Sequence, residues 1–493
     1  MNKKKLLLGL GVLLIGFILG IAAVDIQKSN QTSFIPTLSI IGDVPNSITF
    51  HSLKDIGKLE EIKFQGTKYK VTKLANILNK LKPLDKTFQL YLEGSDGFTS
   101  IIKSEQIEDC FISFTSKNGW EVICTKHPVN ANAKSIQNIV VVSEGNSDKY
   151  DFNIINCNRR LVKTTPGKLY AGTITEYPYF EGEASLKDGG KTYESKVYTR
   201  RKVFKLGDLT GVNVSGKILL LGEKGEWSQV DNQGYFQLKG SNIDYIQPDT
   251  REVINRVKGV VVDPPSATIM DTYYDTMHYL EDGKKVLVII LDGFNYKQYE
   301  YAIKNGYAPF LAKNNKAVQS IGVYPIKSNV WFASMITGQA PCDNGIISSN
   351  NKELKLPSIF TEASKLKKKA LFIDSGKELI KTGAKQILVA DKNKSGSADD
   401  ELDNVVLTTG IDNGYDLLCI KFHNINDVTN HYGQLSSQAM QSVTVVDNYI
   451  AEIEKKWPGK VIITGSQGEQ TDLGRDLSCD RMIIPYVILN NNS

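Results

Sequence analysis

An aspartate at the end of an apolar run is the first feature of this sequence that could support chemistry. The run Val286–Leu291 is continuously apolar, which predicts a central strand buried on both faces, and Asp292 follows it directly. Open α/β sheets place their functional sites just beyond the carboxyl ends of their strands, so Asp292 is well placed to hold a metal ion. A turn or a helix cap is the alternative role for an aspartate in this position.

A second group of motifs follows in the next sixty residues. The turn Tyr324–Pro325 leads to Ser328, the segment Ala333–Gly338 predicts a helix of small residues, and Asn344–Ile346 comes next. This order resembles the nucleotide pyrophosphatase/phosphodiesterase branch of the alkaline phosphatase superfamily, in which a Tyr-Pro turn presents a Thr or Ser at a helix N-terminus. The resemblance implies that Ser328 is the nucleophile. A helix N-terminus stabilises a phosphate, and a metal would activate the hydroxyl, whereas the alternative for Ser328 is a helix N-cap.

The resemblance extends from about Lys284 to Asn490, with the elements in the order of the family. Asp427 and His431 are four residues apart, so a helix would place both side chains on one face. The resemblance implies that these two residues bind one metal and that Asp292 and Ser328 bind the other. It also implies that the metal is a divalent ion, zinc or manganese.

The remaining metal ligands of the family are missing. Ser466–Gly468 replaces an Asp-His-Gly motif, Asn344 replaces a histidine, and Ser478 or Cys479 lies where a late histidine is expected. Each predicted metal site therefore keeps about half of its protein ligands, and catalytic zinc normally has three. Glu469 and Asp472 are the acidic residues that could substitute.

His423 is the other histidine near these motifs. It follows the apolar run Leu417–Phe422, which predicts another buried strand, and it precedes Asp427. Two roles stay open for it: a side chain that faces the site, or an ordinary packed polar residue.

The predicted fold class is α/β, with an alkaline-phosphatase-like sandwich at residues 284–493. Residues 38–145 and 153–263 show short alternating runs between turns, which predict two β-rich modules, and Asp263–Pro265 marks a boundary. Within the first module, Val71–Lys80 predicts a helix. The segment Val203–Leu209 parallels the start of that helix, which favours a weak internal repeat.

The N-terminus predicts export. Three lysines precede the uncharged run Leu6–Val24, which is long enough to span most of a membrane core. We therefore expect residues 1–24 to be an uncleaved signal anchor with the C-terminal domains outside the cytoplasm, and residues 25–37 to be a linker. A cleaved signal peptide is the alternative.

Composition excludes one function class. The net charge of +5 on 493 residues is small, and no basic run is interleaved with aromatic residues, so nucleic acid is not an expected partner. None of the six cysteines forms a CxxC pair, which argues against a zinc ribbon.

Two functions follow from these observations. The first is an exported, membrane-anchored, metal-dependent hydrolase of phosphate mono- or diesters, with a small phosphoester as its substrate. The same fold also permits phosphotransfer onto an envelope glycan. The second is a pseudoenzyme that binds a ligand or a partner at the cell surface without turnover and without a metal.

Overall fold

The computed structural model describes residues 36–126, 132–145, 152–156, 159–172, 176–188, 190–211, 214, 216–247, 252–314, 316–376, 379–467 and 479–489. The predicted anchor at residues 1–24 and most of the predicted linker lie outside these residues. Within the part of the chain that the structure describes, no helix combines the length and the hydropathy needed to cross a membrane.

The chain forms two compact units. The first contains the described residues of the ranges Met1–Ile41, Ser47–Lys82 and Gln89–Val140, and the second those of Gly42–Asn46, Pro83–Phe88 and Val141–Ser493.

The N-terminal strands form a five-stranded sheet of order β2-β1-β9-β5-β6 and a four-stranded sheet of order β3-β4-β7-β8. The elements are β1 (Leu38–Gly42), β2 (Ile48–Phe50), β3 (Glu60–Phe64), β4 (Thr67–Lys73), α1 (Leu74–Leu81), β5 (Phe88–Gly94), β6 (Thr99–Lys103), a 3-10 helix (Ser104–Asp109), β7 (Cys110–Thr115), β8 (Gly119–Cys124) and β9 (Ile136–Ser143).

The helix predicted over Val71–Lys80 begins three residues later than expected. Val71 lies in β4 and pairs with Ser113 of β7 and with Glu60 of β3. The β-branched Val71 and Thr72 favour the strand, and the ladder on both sides of β4 overrides the helical spacing of the apolar residues.

Residues 152–262 repeat this arrangement of strands. Their five-stranded sheet has the order β11-β10-β19-β14-β15, which corresponds position by position to β2-β1-β9-β5-β6, and a second sheet has the order β12-β13-β16-β17-β18. An internal duplication would produce this correspondence. The elements are β10 (Phe152–Asn156), β11 (Arg159–Thr164), α2 (Pro166–Ala171), β12 (Glu176–Asp188), β13 (Lys191–Phe204), α3 (Leu206–Thr210), β14 (Lys217–Gly222), β15 (Trp227–Asp231), β16 (Tyr235–Lys239), β17 (Asn242–Ile246), β18 (Val253–Ile254) and β19 (Val257–Val262).

The C-terminal region is an eight-stranded sheet with helices between its strands, of order β20-β22-β27-β26-β21-β25-β23-β24. Its strands are β20 (Ala267–Thr268), β21 (Val286–Asp292), β22 (Val318–Ile321), β23 (Ala370–Asp374), β24 (Gln386–Leu388), β25 (Leu417–Phe422), β26 (Lys460–Ser466) and β27 (Ile483–Leu489). Its helices are α4 (Asp271–Glu281), α5 (Tyr296–Lys304), α6 (Pro309–Lys313), α7 (Ser328–Thr337), α8 (Pro341–Asn344), α9 (Ile359–Lys365), α10 (Asp399–Val405), a π-helix (Val406–Ile411), α11 (Asn424–Tyr432), α12 (Ser437–Lys456) and α13 (Cys479–Met482).

The centre of this sheet is parallel. Strand β21 pairs in parallel with β25 on one side and with β26 on the other, and β25 pairs in parallel with β23. Every residue of β21 and of β25 is buried, which explains why both strands are continuously apolar apart from one lysine and the final aspartate. The carboxyl ends of four strands therefore meet at one edge.

The hydrophobic core of the sheet continues into the preceding module. Ile155, Leu219, Leu221 and Val261, from β10, β14 and β19, belong to the same buried cluster as the residues of β21 and β25. Residues on either side of the Asp263–Pro265 segment thus share one core.

Candidate functional site at the carboxyl edge of the parallel sheet

Polar side chains converge where the central strands end. Asp292 is the last residue of β21 and lies opposite Ser466, the last residue of β26. Asp374 ends β23 and lies opposite Lys421 of β25, and His423 follows the end of β25. We refer to these five residues as the Asp292 network.

Both carboxylate oxygens of Asp292 have protein partners. The Ser466 hydroxyl donates to Oδ1 over 2.6 Å, and the Lys421 ammonium lies 3.3 Å from the same oxygen. The Nδ1 atom of His423 lies 3.2 Å from Oδ2. Burial raises the pKa of the Asp292 carboxyl, but the charge of Lys421 and the hydrogen bond from His423 outweigh it, so the pKa lies well below its usual range.

His423 bridges two carboxylates. Its Nε2 atom lies 2.7 Å from Oδ1 of Asp374, while Nδ1 faces Asp292. Burial and the charge of Lys421 lower the pKa of His423, but the hydrogen bonds to Asp292 and Asp374 dominate and raise it to about 9. At neutral pH the ring is therefore an imidazolium that donates from both nitrogens.

The sequence interpretation missed two residues of this network, Asp374 and Lys421. The side chain of Lys421 is only 2% exposed, although it carries a charge. A buried lysine requires an anionic partner, and Asp292 supplies it across the β21–β25 ladder. The available signal was one lysine within the apolar run Leu417–Phe422, which implies a counter-ion on a neighbouring strand.

The backbone around His423 is held by a further buried aspartate. Asp399, the first residue of α10, accepts hydrogen bonds from the backbone N–H groups of His423 and Asn424, at 3.1 and 2.9 Å. The Ser375 hydroxyl donates to the same carboxylate over 2.7 Å. Burial raises the pKa of Asp399. This residue is therefore a positioning group for the His423 ring.

Ser328 lies at the predicted helix N-terminus but is not an N-cap. The N-cap position of α7 is occupied by Lys327, and Ser328 is the first helical residue. The Ser328 hydroxyl donates to the backbone carbonyl of Gln467, just beyond β26, over 3.0 Å. The side chain is largely buried, and its hydroxyl contacts the same strand end that carries Ser466.

Asn344, which replaces a histidine of the family pattern, has a structural role. Its amide nitrogen donates to the Ser334 hydroxyl and to the Gln339 carbonyl, at 3.1 and 3.0 Å. Its amide oxygen accepts from the N–H of Ile346 over 2.9 Å. With all these bonds made, Asn344 fixes the turn after α8.

Asp427 and His431 share one helix, α11, as their spacing predicts, and both are exposed. Burial of the Asp427 carboxyl raises its pKa, the charge of His423 lowers it, and Asp292 raises it further, so Asp427 lies within electrostatic range of the network. In the described part of the chain, no hydrogen bond or ion pair joins Asp427 or His431 to Asp292.

Helix α11 comes very close to the end of β21. A Cβ atom added at Gly293 would lie 2.8 Å from Cα of Asn426, and Gly293 has a φ of +73°. Both the close approach and the left-handed backbone require glycine at this position.

The Asp292 network does not fit a divalent metal ion. Any ion on the Asp292 carboxylate would lie beside the Lys421 ammonium and the His423 imidazolium, which already neutralise Asp292 and Asp374. Among the described residues, no three His, Cys, Asp or Glu side chains are grouped closely enough to hold a metal by themselves. Glu469, Asp472 and Ser478 lie outside the described residues, and Cys479 begins α13.

Comparisons with known proteins gave structural matches only. No family model matches the chain, and no curated protein matches it in sequence. Among solved structures, it matches murine ectonucleotide pyrophosphatase/phosphodiesterase 5, both alone and as an inactive form in complex with AMP, and the human protein of the same name.

The extent of these matches is limited. Identity is 15–17%, the TM-score is 0.31, and each match covers 38% of this chain and 57% of the matched chain. The matched structures are of the same nucleotide pyrophosphatase/phosphodiesterase branch that the motifs resemble. At this identity and TM-score, the matches bear on neither the activity nor the site residues of this chain.

Proposed function

We propose that the C-terminal region is a non-hydrolytic member of its fold class that binds a ligand without a metal ion at the carboxyl edge of the sheet. The observation that carries the proposal is the saturation of Asp292 by Ser466, Lys421 and His423. In a metal-dependent hydrolase, this carboxylate would have to be available to a cation.

Charge balance supports the proposal. The carboxylates of Asp292 and Asp374 are matched by the cations of Lys421 and His423, so the buried network is neutral as it stands. A divalent ion added to it would place two further positive charges beside the Lys421 ammonium, in a region with little access to water, which is unfavourable.

The ligand classes that we propose are a small phosphoester or an envelope glycan. The N-terminus of α7 faces the same strand end as the Ser328 hydroxyl, and a helix N-terminus attracts anionic groups. From the sequence of residues 1–24 we further propose that the protein is exported and attached to the membrane, with no role in nucleic acid binding.

Metal-dependent phosphoester hydrolysis is the second candidate, because Ser328 lies at the first position of α7, where the family has its nucleophile. We would measure nitrophenol release from mono- and bis-nitrophenyl phosphate, with zinc and with manganese, for the wild-type chain and for Ser328→Ala. The substitution removes one oxygen and leaves the backbone of α7 intact.

We expect no turnover above background in either protein and less than one bound zinc or manganese ion per chain. Metal-dependent turnover that Ser328→Ala reduces by a factor of about 10³ or more would overturn the proposal in favour of a hydrolase. Turnover that survives the substitution would also overturn it and would locate the chemistry elsewhere.

A further inference from the structure

The segment between β24 and α10 has oxygen-bearing side chains at regular intervals. Counted from Asp391 as the first position, Asn393 and Ser395 occupy the third and fifth positions, and Gly396 occupies the sixth, with a φ of +94°. The two residues between them are lysines, and both are exposed. This alternation is typical of loops that wrap a calcium ion, in which oxygens at alternate positions face inward and a glycine makes the sharp turn.

The turn is organised around the carboxylate of Asp391. Its Oδ1 accepts from the N–H of Ser395 over 3.1 Å, and its Oδ2 accepts from the N–H of Gly396 over 3.0 Å. The N–H of Ser395 also lies 2.8 Å from the amide oxygen of Asn393. These bonds hold the loop closed but do not by themselves indicate a ligand.

Buried carboxylate oxygens without hydrogen-bond partners do indicate a bound ligand. Glu401 binds the loop through Oε1, which accepts from the N–H groups of Lys392 and Asn393, both at 2.9 Å. Asp400 binds it through Oδ2, 2.5 Å from the amide nitrogen of Asn393. The other oxygens, Oε2 of Glu401 and Oδ1 of Asp400, are inaccessible to water and have no hydrogen-bond donor among the described residues.

Asp403, one turn further along α10, also has a buried carboxylate oxygen without a partner. The residue is 8% exposed, and its Oδ1 has no hydrogen-bond donor in the described part of the chain. The charge of Lys456 on α12 offsets that of Asp403 in part, so Asp400 and Glu401 are the residues whose buried oxygens without donors indicate a cation.

We propose that the loop from Asp391 to Glu401 binds a calcium ion. The ligands would be the carboxylates of Asp391 and Glu401, the amide oxygen of Asn393 and the hydroxyl of Ser395, with Asp400 adding negative charge. Calcium takes six to eight oxygen ligands in flexible geometry, and the set contains no nitrogen or sulfur that would select zinc. The carboxylates do not form a group of three that holds a metal unaided, so the neutral oxygens are essential.

The loop departs from the twelve-residue pattern in one respect. The closing glutamate, Glu401, is the eleventh residue and not the twelfth, and a strand rather than a helix precedes the loop. Because the closing glutamate comes one residue early, we expect the loop to bind calcium weakly compared with other calcium-binding loops. The ion would also fix the start of α10, where Asp399 positions the backbone of His423.

The experiment is calorimetric titration of the full chain with calcium chloride after treatment with a chelator. We expect one calcium ion per chain, with a Kd on the order of 10⁻⁴ M, and binding of magnesium at least about tenfold weaker. Asp391→Asn and Glu401→Gln should each weaken calcium binding by about tenfold or more, and Asp412→Asn, an exposed acid beyond the same helices, should not. Calcium should also raise Tm in the wild type and in Asp412→Asn.

Glu401→Gln keeps an acceptor for the two N–H groups, and Ser395→Ala removes only a hydroxyl, so these variants test ligation if Asp391→Asn fails to fold. Absence of both heat and a Tm shift at about 10 mM calcium would overturn the proposal. Equal binding by the wild type and all loop variants would overturn it as well, as would magnesium binding as tight as calcium binding.

Discussion

Lys421 and His423 decide how the candidate site can act. The Asp292 carboxylate has a lysine ammonium at 3.3 Å and an imidazolium nitrogen at 3.2 Å. Buried ion pairs of this kind gain little net stability when both partners are present, but removal of one partner leaves an uncompensated charge and is strongly destabilising. The network is therefore expected to be rigid and intolerant of single substitutions.

The titration of His423 gives a prediction at this scale. Its pKa rises from an ordinary value near 6.5 to about 9 in the folded chain, so the folded state binds the proton more tightly than the unfolded state. The resulting stabilisation is fully present below about pH 6.5 and is lost as pH rises through about 9. It amounts to about 3 kcal/mol.

Urea unfolding at a series of pH values between 6 and 10 measures this effect. His423→Gln should be less stable than the wild type at pH 6 and should lose the decline in unfolding free energy toward pH 9. His278→Gln is the matched control, because His278 is exposed and lies on α4, away from the network. A decline of the same size in His423→Gln and in the wild type would show that another group is responsible.

The sequence predicted part of this site. Asp292 ends β21, as the apolar run before it indicated, and Ser328 begins α7. The partners of Asp292 could not be predicted, because Lys421 and Ser466 come from strands more than 100 residues away in sequence and meet it only through the order β26-β21-β25. Whether His423 faced the site depended on the same strand order.

At the scale of elements, the apolar runs predicted the buried strands well, whereas the predicted ends of elements were less accurate. Strand β25 (Leu417–Phe422) coincides with its predicted run. Because both faces of the strand are buried, the run is continuously apolar and its bounds are clear from the sequence. The segment Val71–Lys80 divides between β4 and α1, since its apolar residues fit both a strand pair and a helix face. Pairing with β7, which sequence spacing does not show, decided the outcome.

The contact between α11 and the end of β21 gives a prediction for a pair of glycines. Gly293 and Gly306 have φ angles of +73° and +76°, but only at Gly293 would a Cβ atom meet a neighbour, at 2.8 Å from Asn426. Gly306→Ala should cost about 1 kcal/mol for backbone strain alone. Gly293→Ala should cost about 1–3 kcal/mol more, because α11 must move.

Thermal and urea unfolding of the two variants measure the difference. Equal destabilisation would mean that α11 is free to shift away from β21. In that case Asp427 and His431, which lie on α11, would not be held at a fixed distance from Asp292.

At the scale of the whole chain, the decisive feature is the core shared across the Asp263–Pro265 segment. Prolines and a change of strand pattern mark a boundary in the sequence, but sequence patterns do not reveal which faces of two sheets pack together. In the second compact unit, Leu219, Leu221 and Val261 bury one face of the β10-β19-β14 sheet in the cluster that also contains β21 and β25.

Leu221→Ala tests whether the two sides of this shared core unfold cooperatively. Leu221 is completely buried, so truncation should cost about 2–5 kcal/mol, whereas Leu186→Ala on the β12–β13 hairpin, where the side chain is 66% exposed, should cost less than about 0.5 kcal/mol. Hydrogen exchange locates the loss. If the core is one cooperative unit, the amides of β21 and β26 should exchange faster in Leu221→Ala, together with those of β14 and β19. If only the amides of β14 and β19 exchange faster, the region from residue 264 onward is an independent folding unit, and the regions on either side of the Asp263–Pro265 segment unfold separately.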